Sequence, residues 1–505
     1  MRRMAAEGAN RDNTGMATNT HETAPAERGG ALAPEGFLAA LSAIVGERHL
    51  ITDPADMAPY CTDWRRVHSG PGLAVVRPGS TDEVSRVVAQ CAASGVAVVP
   101  QSGNTSLVGG SVPLSAPGKR PEIVLSLARM NRIRALDSLN DTMTVEAGCI
   151  LQTLQQAASE AGRLFPLSLA AEGSCQIGGN LSTNAGGVGV LRYGNTRDLV
   201  LGLEVVLPDG RVWNGLKGLR KDNTGYDLKH LFIGAEGTLG VITAAVLKLF
   251  PKPSASCTAW IAVRDPQQAV ELLSALRARL GDRLTAFELI SRVCLESVMA
   301  YTRAKGGHTA DPLPQPHDWY VLADITDGGT QAALTERAEA ALMECSEAGH
   351  LIDVALAQSE AQAQALWNIR ETIPEAQFAN VKHDVSVPVS KIPQMVEEGM
   401  AALRAAFPGC VGYIFGHIGD GNLHYNIGMA DEPATRALMA QGKAVNAVVY
   451  EVLGRLEGSI SAEHGLGQLK RAEIRKHKSA LEFELMERVK AALDPLGTMN
   501  PGKVL

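Results

Sequence analysis

The sequence of 505 residues has no CxxC pair, no GxGxxG fingerprint and no excess of positive charge. No apolar run approaches the roughly 18 residues needed to cross a bilayer as a helix, so no membrane span is expected. A net charge of −7 argues against nucleic acid or an anionic membrane as the main partner. Without GxGxxG there is no Rossmann dinucleotide fingerprint. The eight cysteines, at 61, 91, 149, 175, 257, 294, 345 and 410, are scattered. They read as reduced, mostly buried thiols of a cytosolic protein. Residues 1–33 lack apolar periodicity and read as a disordered tail. No apolar segment follows Arg2-Arg3, and Glu7, Asp12, Glu22 and Glu27 do not suit a mitochondrial presequence. The expected location is therefore cytoplasmic.

What the chain does have is glycine, gathered in three loops. Residues 166–198 hold glycines at 173, 178, 179, 186, 187, 189 and 194, with small polar side chains between them. Such a stretch cannot build a core, but its N–H groups can come close to a ligand, and successive N–H groups in turns suit phosphate. An apolar helical segment (151–161) precedes it and an apolar strand (200–207) follows, which is not how a flexible linker is bracketed. A second loop, PQSGNTSLVGGSVP (100–113), leaves a βαβ unit, and a third, GAEGTLGVIT (234–243), precedes a strand. Two phosphate-type loops close together suggest a dinucleotide rather than a mononucleotide. The loops are expected to line a large, phosphate-bearing cofactor.

A chain of this length suggests two or three domains. An amphipathic helix is expected over 36–45 and a strand over 74–77. Ser80 and Glu83 form a capping box before the periodic apolar positions 84, 87, 88, 91 and 92. Strands follow at 96–99, 123–127 and 142–146, the last two continuing one sheet, then at 202–207 and 244–249. Pro251 and Pro253 close this part. Beyond it, strands at 260–263 and 319–325 alternate with helices at 266–280, 330–348 and 393–406, an α+β pattern. A long helix is expected over 438–456 and a last one over 479–492. The expected divisions are a tail (1–33), a first domain (34–253), a second (254–475) and a closing segment (476–505).

One chemistry-bearing constellation stands apart from the loops. In GHIGDGNLHYN (416–426), Asp420-Gly421 marks a turn between apolar runs. On the strand after it, Asn422, His424 and Asn426 share a face by the period of two. His417 can meet His424 across the turn. SAEHGLG brings Glu463 and His464 after the long helix. Two histidines and a glutamate from separate segments form a plausible three-ligand metal site with open positions.

Together these motifs resemble the vanillyl-alcohol oxidase / p-cresol methylhydroxylase flavoprotein superfamily. Within it, the match is to the D-2-hydroxyacid dehydrogenase branch, across about residues 34 to 505. The resemblance implies an α+β fold: a two-subdomain PCMH-type FAD-binding domain plus an α+β cap, or substrate, domain with an antiparallel sheet. It implies FAD contacts from Pro100, Gln101, Ser102, Gly103, Asn104, Thr105, Gly109, Gly110 and Ser111. It adds Pro166, Gly173, Gly178, Gly179, Asn180, Thr183, Asn184, Gly186, Gly187 and Gly194, then Glu236, Gly237 and Ile242, and Asn500 in the closing NPGKVL. Ser102 stands where the family usually has glycine. No His or Cys stands where covalent attachment would need one, so FAD is expected to be non-covalent.

The same resemblance implies a divalent metal, Zn or Mn, on His417, His424 and Glu463, with His464 as catalytic base. Substrate contacts fall to Arg370, Lys382 and Asn426. Pro374 stands where D-2-hydroxyglutarate dehydrogenases can carry a hydroxyl residue. The implied substrate is a D-2-hydroxy acid, with D-2-hydroxyglutarate favoured and D-lactate next. A metal lowers the pKa of the hydroxyl, a neutral imidazole takes its proton and the hydride passes to flavin. With no nicotinamide loop, electron-transfer flavoprotein or a quinone is the expected acceptor. A glycolate oxidase-type flavin subunit, a non-catalytic flavin protein and a metal-only hydrolase are the competing readings. A homodimer through the cap domains is compatible with the sequence, although no apolar stripe marks its face.

Overall fold

The computed structural model describes residues 35–114, 120–377 and 379–505, so the tail expected over 1–33 lies outside the described residues. Four strands come first: β1 (Leu50–Ile51), β2 (Val75–Val76), β3 (Ala97–Gln101) and β4 (Glu122–Ser126). They form one sheet in the order β1-β2-β4-β3, with β4 parallel to both neighbours. The helix Thr81–Ser94 makes the crossover that parallel pairing requires. Its buried Val84, Val87, Val88 and Cys91 keep the expected spacing. The capping box is only half formed. Ser80 accepts the Glu83 N–H, but the Glu83 carboxylate takes the N–H of Gly79 instead of Ser80.

Next come β5 (Ile133–Asp137), β6 (Thr142–Glu146), β7 (Arg163–Leu164), β8 (Val200–Val206), β9 (Val212–Gly215), β10 (Val241–Lys248) and β11 (Phe250–Pro251). All but β7 and β11, which pair with each other, make an antiparallel sheet in the order β5-β6-β10-β8-β9. The segments 123–127 and 142–146 therefore do not continue one sheet. A turn closed by Met130 N–H on Leu127 O redirects the chain between them, and β6 pairs with β5 and β10.

The C-terminal lobe is built on β12 (Ala255–Val263), β13 (Leu284–Ser291), β14 (Trp319–Asp327), β15 (Asp353–Leu356), β16 (Asp384–Ser386), β17 (Val411–Gly416) and β18 (Asn422–Gly428). They form an antiparallel sheet in the order β15-β12-β14-β13-β17-β18-β16. Ile261, Val263, Leu289 and Val321 face the helices Pro266–Leu280, Gln331–Glu347 and Ile392–Ala406. Trp260, Ala262, Ile290 and Leu322 face Arg292–Ala304 and Glu360–Ala376. Both faces are covered, so β13 is buried along its whole length. Each such leucine or isoleucine adds ~1.5–3 kcal/mol to the core.

The helix expected over 438–456 is two helices, Glu432–Met439 and Gly442–Arg455. Asp431 caps the first, with Pro433 in its first turn, and Gln441-Gly442 breaks the run. Among the described residues no helix is long and apolar enough to cross a membrane.

Candidate active site

The two lobes enclose a cavity of about 810 Å³. The N-terminal wall comes from the three glycine loops. All the predicted cofactor residues line it except Gly109, Pro166, Asn184, Gly194 and Asn500. Asn184 caps the helix Ile177–Thr183 and accepts the Arg197 N–H, while Gly194 ends the helix Val190–Tyr193. Gly109 is a turn glycine pressed against His68. The wall approaches its ligand with main chain. A Cβ on Gly103 would stand 2.4 Å from Ser174 O, and one on Gly187 1.9 Å from Ser168 O. Gln176 Oε1 and Asn180 Oδ1 are buried in this wall with no partner among the described residues. Free acceptors and exposed N–H groups fit an extended polar cofactor.

Several predicted side chains serve the loops themselves. Gln101 Nε2 donates to Tyr60 O and Ser111 O, and Asn104 Nδ2 to Pro59 O and Thr62 O. Glu236 reaches across the cleft and accepts the N–H groups of Leu466 at 2.7 Å and Gly467 at 2.8 Å. Asn500 Nδ2 donates to Gly110 O at 2.9 Å and Glu236 O at 2.7 Å. The loop that carries Glu463 and His464 is thus tied to the glycine wall.

The C-terminal wall holds most of the titratable groups. The β17–β18 hairpin pairs Phe415 with His424, and its turn sets His417 beside them, with the two imidazoles 5.7 Å apart. Nitrogen and oxygen donors of His417, His424 and Glu463 lie within 4.8 Å of one another, and His417 Nε2 is 3.4 Å from Glu463 Oε1. Two imidazoles and a carboxylate at this spacing fit a divalent metal. Asn426 is on the same wall, whereas Asn422 turns away to donate to Asp384 Oδ1 and Val385 O.

Two carboxylates absent from the sequence reading organise this wall. Glu288, on β13, is fully buried. Its Oε1 is 2.5 Å from His417 Nδ1 and its Oε2 accepts Arg370 Nε at 2.8 Å. Burial would raise Glu288, but His417 and Arg370 together hold it near 2. In turn, Glu288 and Glu463 overcome burial and lift His417 to about 9. Asp384, on β16, accepts the N–H groups of Glu463 and His464 on Oδ2 at 2.9 and 3.0 Å. The same oxygen is 3.4 Å from His464 Nδ1, which leaves Nε2 toward the cavity. Burial lowers the His464 pKa despite Asp384, so the ring stays neutral. Burial raises Glu463 to about 7, although His417 opposes it. Glu288 had one readable signal: a lone acid in the apolar run LTAFELIS.

Comparison with known proteins agrees with this arrangement. Residues 72–215 match the FAD binding domain, and residues 252–504 match the C-terminal domain of FAD-linked oxidases. A D-2-hydroxyglutarate dehydrogenase of Xanthomonas citri pv. viticola is 41% identical over 457 residues, covering 90% of this chain and 94% of that protein. The mitochondrial D-2-hydroxyglutarate dehydrogenase of Bos taurus is 40% identical over 475 residues, 93% and 84% of the two chains. The structure of p-cresol methylhydroxylase with substrate bound shares the fold, with a TM-score of 0.71 at 18% identity over 94% of this chain and 97% of that one. The chain belongs to the FAD-dependent D-2-hydroxyacid dehydrogenases, a branch of the FAD-linked oxidases with the p-cresol methylhydroxylase-type fold.

Proposed function

We propose that this protein oxidises D-2-hydroxyglutarate, in preference to D-lactate, to the 2-oxo acid with the help of a divalent metal. The observation that carries the 2-hydroxy-acid chemistry is Glu288, which joins a carboxylate-binding arginine to a metal-binding histidine in the cavity that His464 also lines, and the preference for D-2-hydroxyglutarate follows the relatives. FAD, held non-covalently along the glycine loops, would supply the hydride acceptor, and Zn or Mn held by His417, His424 and Glu463 would supply a Lewis acid for the substrate hydroxyl. Arg370 keeps its terminal N–H groups for the substrate carboxylate, because Glu288 uses only Nε. Lys382 and Asn426 complete the substrate contacts. His464 takes the hydroxyl proton on Nε2, with Asp384 fixing the ring through Nδ1. The covered sheet behind these groups shields Glu288, Arg370 and His417 from water.

Electrons leave to electron-transfer flavoprotein or a quinone. The eight free, buried cysteines support a reducing compartment such as the cytoplasm. The test is anaerobic mixing of the purified protein with D-2-hydroxyglutarate or D-lactate, before and after chelator. Bleaching of the flavin band by D-2-hydroxyglutarate, lost with chelator and restored by Zn or Mn, is the expected result. Full bleaching of the chelated protein would remove the metal from the reading.

A further inference from the structure

Arg65 belongs to the N-terminal lobe, yet it lines the same cavity as Arg370 and Lys382. It stands in a built loop. Asp63 Oδ1 accepts the N–H groups of Val67 at 2.7 Å and His68 at 2.9 Å, and Thr62 pairs with Ser69. Asn104 of the second glycine loop donates to Thr62 O at 3.0 Å, which anchors this loop to the cofactor wall. The Arg65 guanidinium itself makes no hydrogen bond or close ion pair among the described residues.

The charges around it leave it free for a ligand. Asp63 and Asp384 lie near Arg65 without bonding to it: Asp63 Oδ1 takes N–H groups of its own loop while its Oδ2 has no partner among the described residues, and Asp384 takes Asn422 and the Glu463 and His464 N–H groups. On the other lobe, Lys382 Nζ gives one hydrogen bond, to Gln377 O at 3.1 Å. Burial and the nearby Arg65 bring Lys382 down to about 8. The other carboxylates of the cavity are engaged or turned elsewhere. Glu463 faces His417, Glu236 holds the 466–467 N–H groups, Glu172 takes the Leu169 N–H, Glu375 takes the Tyr301 hydroxyl, and Glu371 has Glu172 and Arg370 as its charged neighbours. Two cations from opposite lobes therefore face one volume with no carboxylate of the protein bonded between them. Arg65 is exposed at the mouth and Lys382 is half-buried, and like charges facing one volume repel until an anion joins them.

We infer that Arg65 and Lys382 form a second carboxylate subsite, separate from Arg370, so that the site selects a 2-hydroxy dicarboxylic acid over a monocarboxylic one. The inference rests on the reading of the site given above and adds Arg65 to it as the specificity-determining residue. The competing anion is a phosphate of the cofactor, and the test separates the two.

Arg65→Met and Arg65→Lys are compared with the wild type as FAD-loaded proteins. With Arg65→Met, kcat/KM for D-2-hydroxyglutarate should fall roughly 10- to 100-fold, mainly through KM, while D-lactate stays within about threefold. FAD content should be unchanged, and Arg65→Lys should recover part of the loss. Calorimetry with 2-oxoglutarate and pyruvate gives a readout that needs no turnover. The wild type should bind the dicarboxylate more tightly, and Arg65→Met should erase the difference. Equal losses for both acids, no loss for either, or a fall in FAD content would overturn the assignment. If the wild type reduces its flavin with neither acid, the proposed reaction fails. The calorimetric comparison still decides the subsite.

Discussion

The N-terminal wall of the cavity meets its ligand with main chain, and the C-terminal wall meets it with buried charge. Around Gly103 and Gly187 there is no room for a single added carbon, and the polar side chains there mostly brace the loops. Across the cleft, Glu288 and Asp384 each hold two functional partners, so the charges stand or fall together. The close-packed glycines of the first wall should not tolerate added size. The second should tolerate changes of size but not of charge.

His464→Ala gives the sharpest break. It should lower the rate of flavin reduction by roughly 10²–10⁴-fold and leave the flavin spectrum and FAD content intact. Stopped-flow absorbance checks both, and loss of flavin from this variant would erase the contrast between the walls. Gly103→Ala tests the other side. Its Cβ would meet Ser174 O, an overpacking worth ~1–3 kcal/mol. FAD binding should weaken by roughly 10- to 100-fold on that scale, as measured by titration of the apoprotein. Reduction of whatever flavin remains should be unaffected, and a fully loaded Gly103→Ala protein would mean the loop can move aside.

The smallest expected effect is one of pH, at a buried histidine of the charged lobe. His383 is buried, and burial lowers it to about 4, against hydrogen bonds with Tyr425 O and Asn446. Below about pH 6.5 the unfolded chain therefore binds a proton that the folded chain refuses. Stability is lost as pH falls from there toward 4, and the loss is about 2 kcal/mol by pH 5. His383→Gln should flatten this part of the unfolding midpoint against pH. An unchanged slope would place the titration in another group.

Backbone chemistry was the legible part of the sequence. Glycine clusters between an apolar helix and an apolar strand can be read directly, and so can histidines flanking Asp420-Gly421. The partners that orient those histidines were not legible. Glu288 and His417 are 129 residues apart, and nothing local to either announces the pairing. Asp384 lies in KHDVSVP beside the predicted Lys382, but its role depends on a sheet partner and on a loop 79 residues away. The same blindness to distance led the segments 123–127 and 142–146 to be joined in one sheet, since strand order is set by pairing rather than by succession.

Asn500 also fixes when the cavity comes into being. Its amide bonds to carbonyls 264 and 390 residues away along the chain. Contacts of such separation carry the largest loop-closure entropy and form after the local ones that shorten the path between them. The order of folding should therefore be the local structure of each lobe first and the closing segment afterwards. Cofactor capture then reports the final step of folding rather than the onset of collapse.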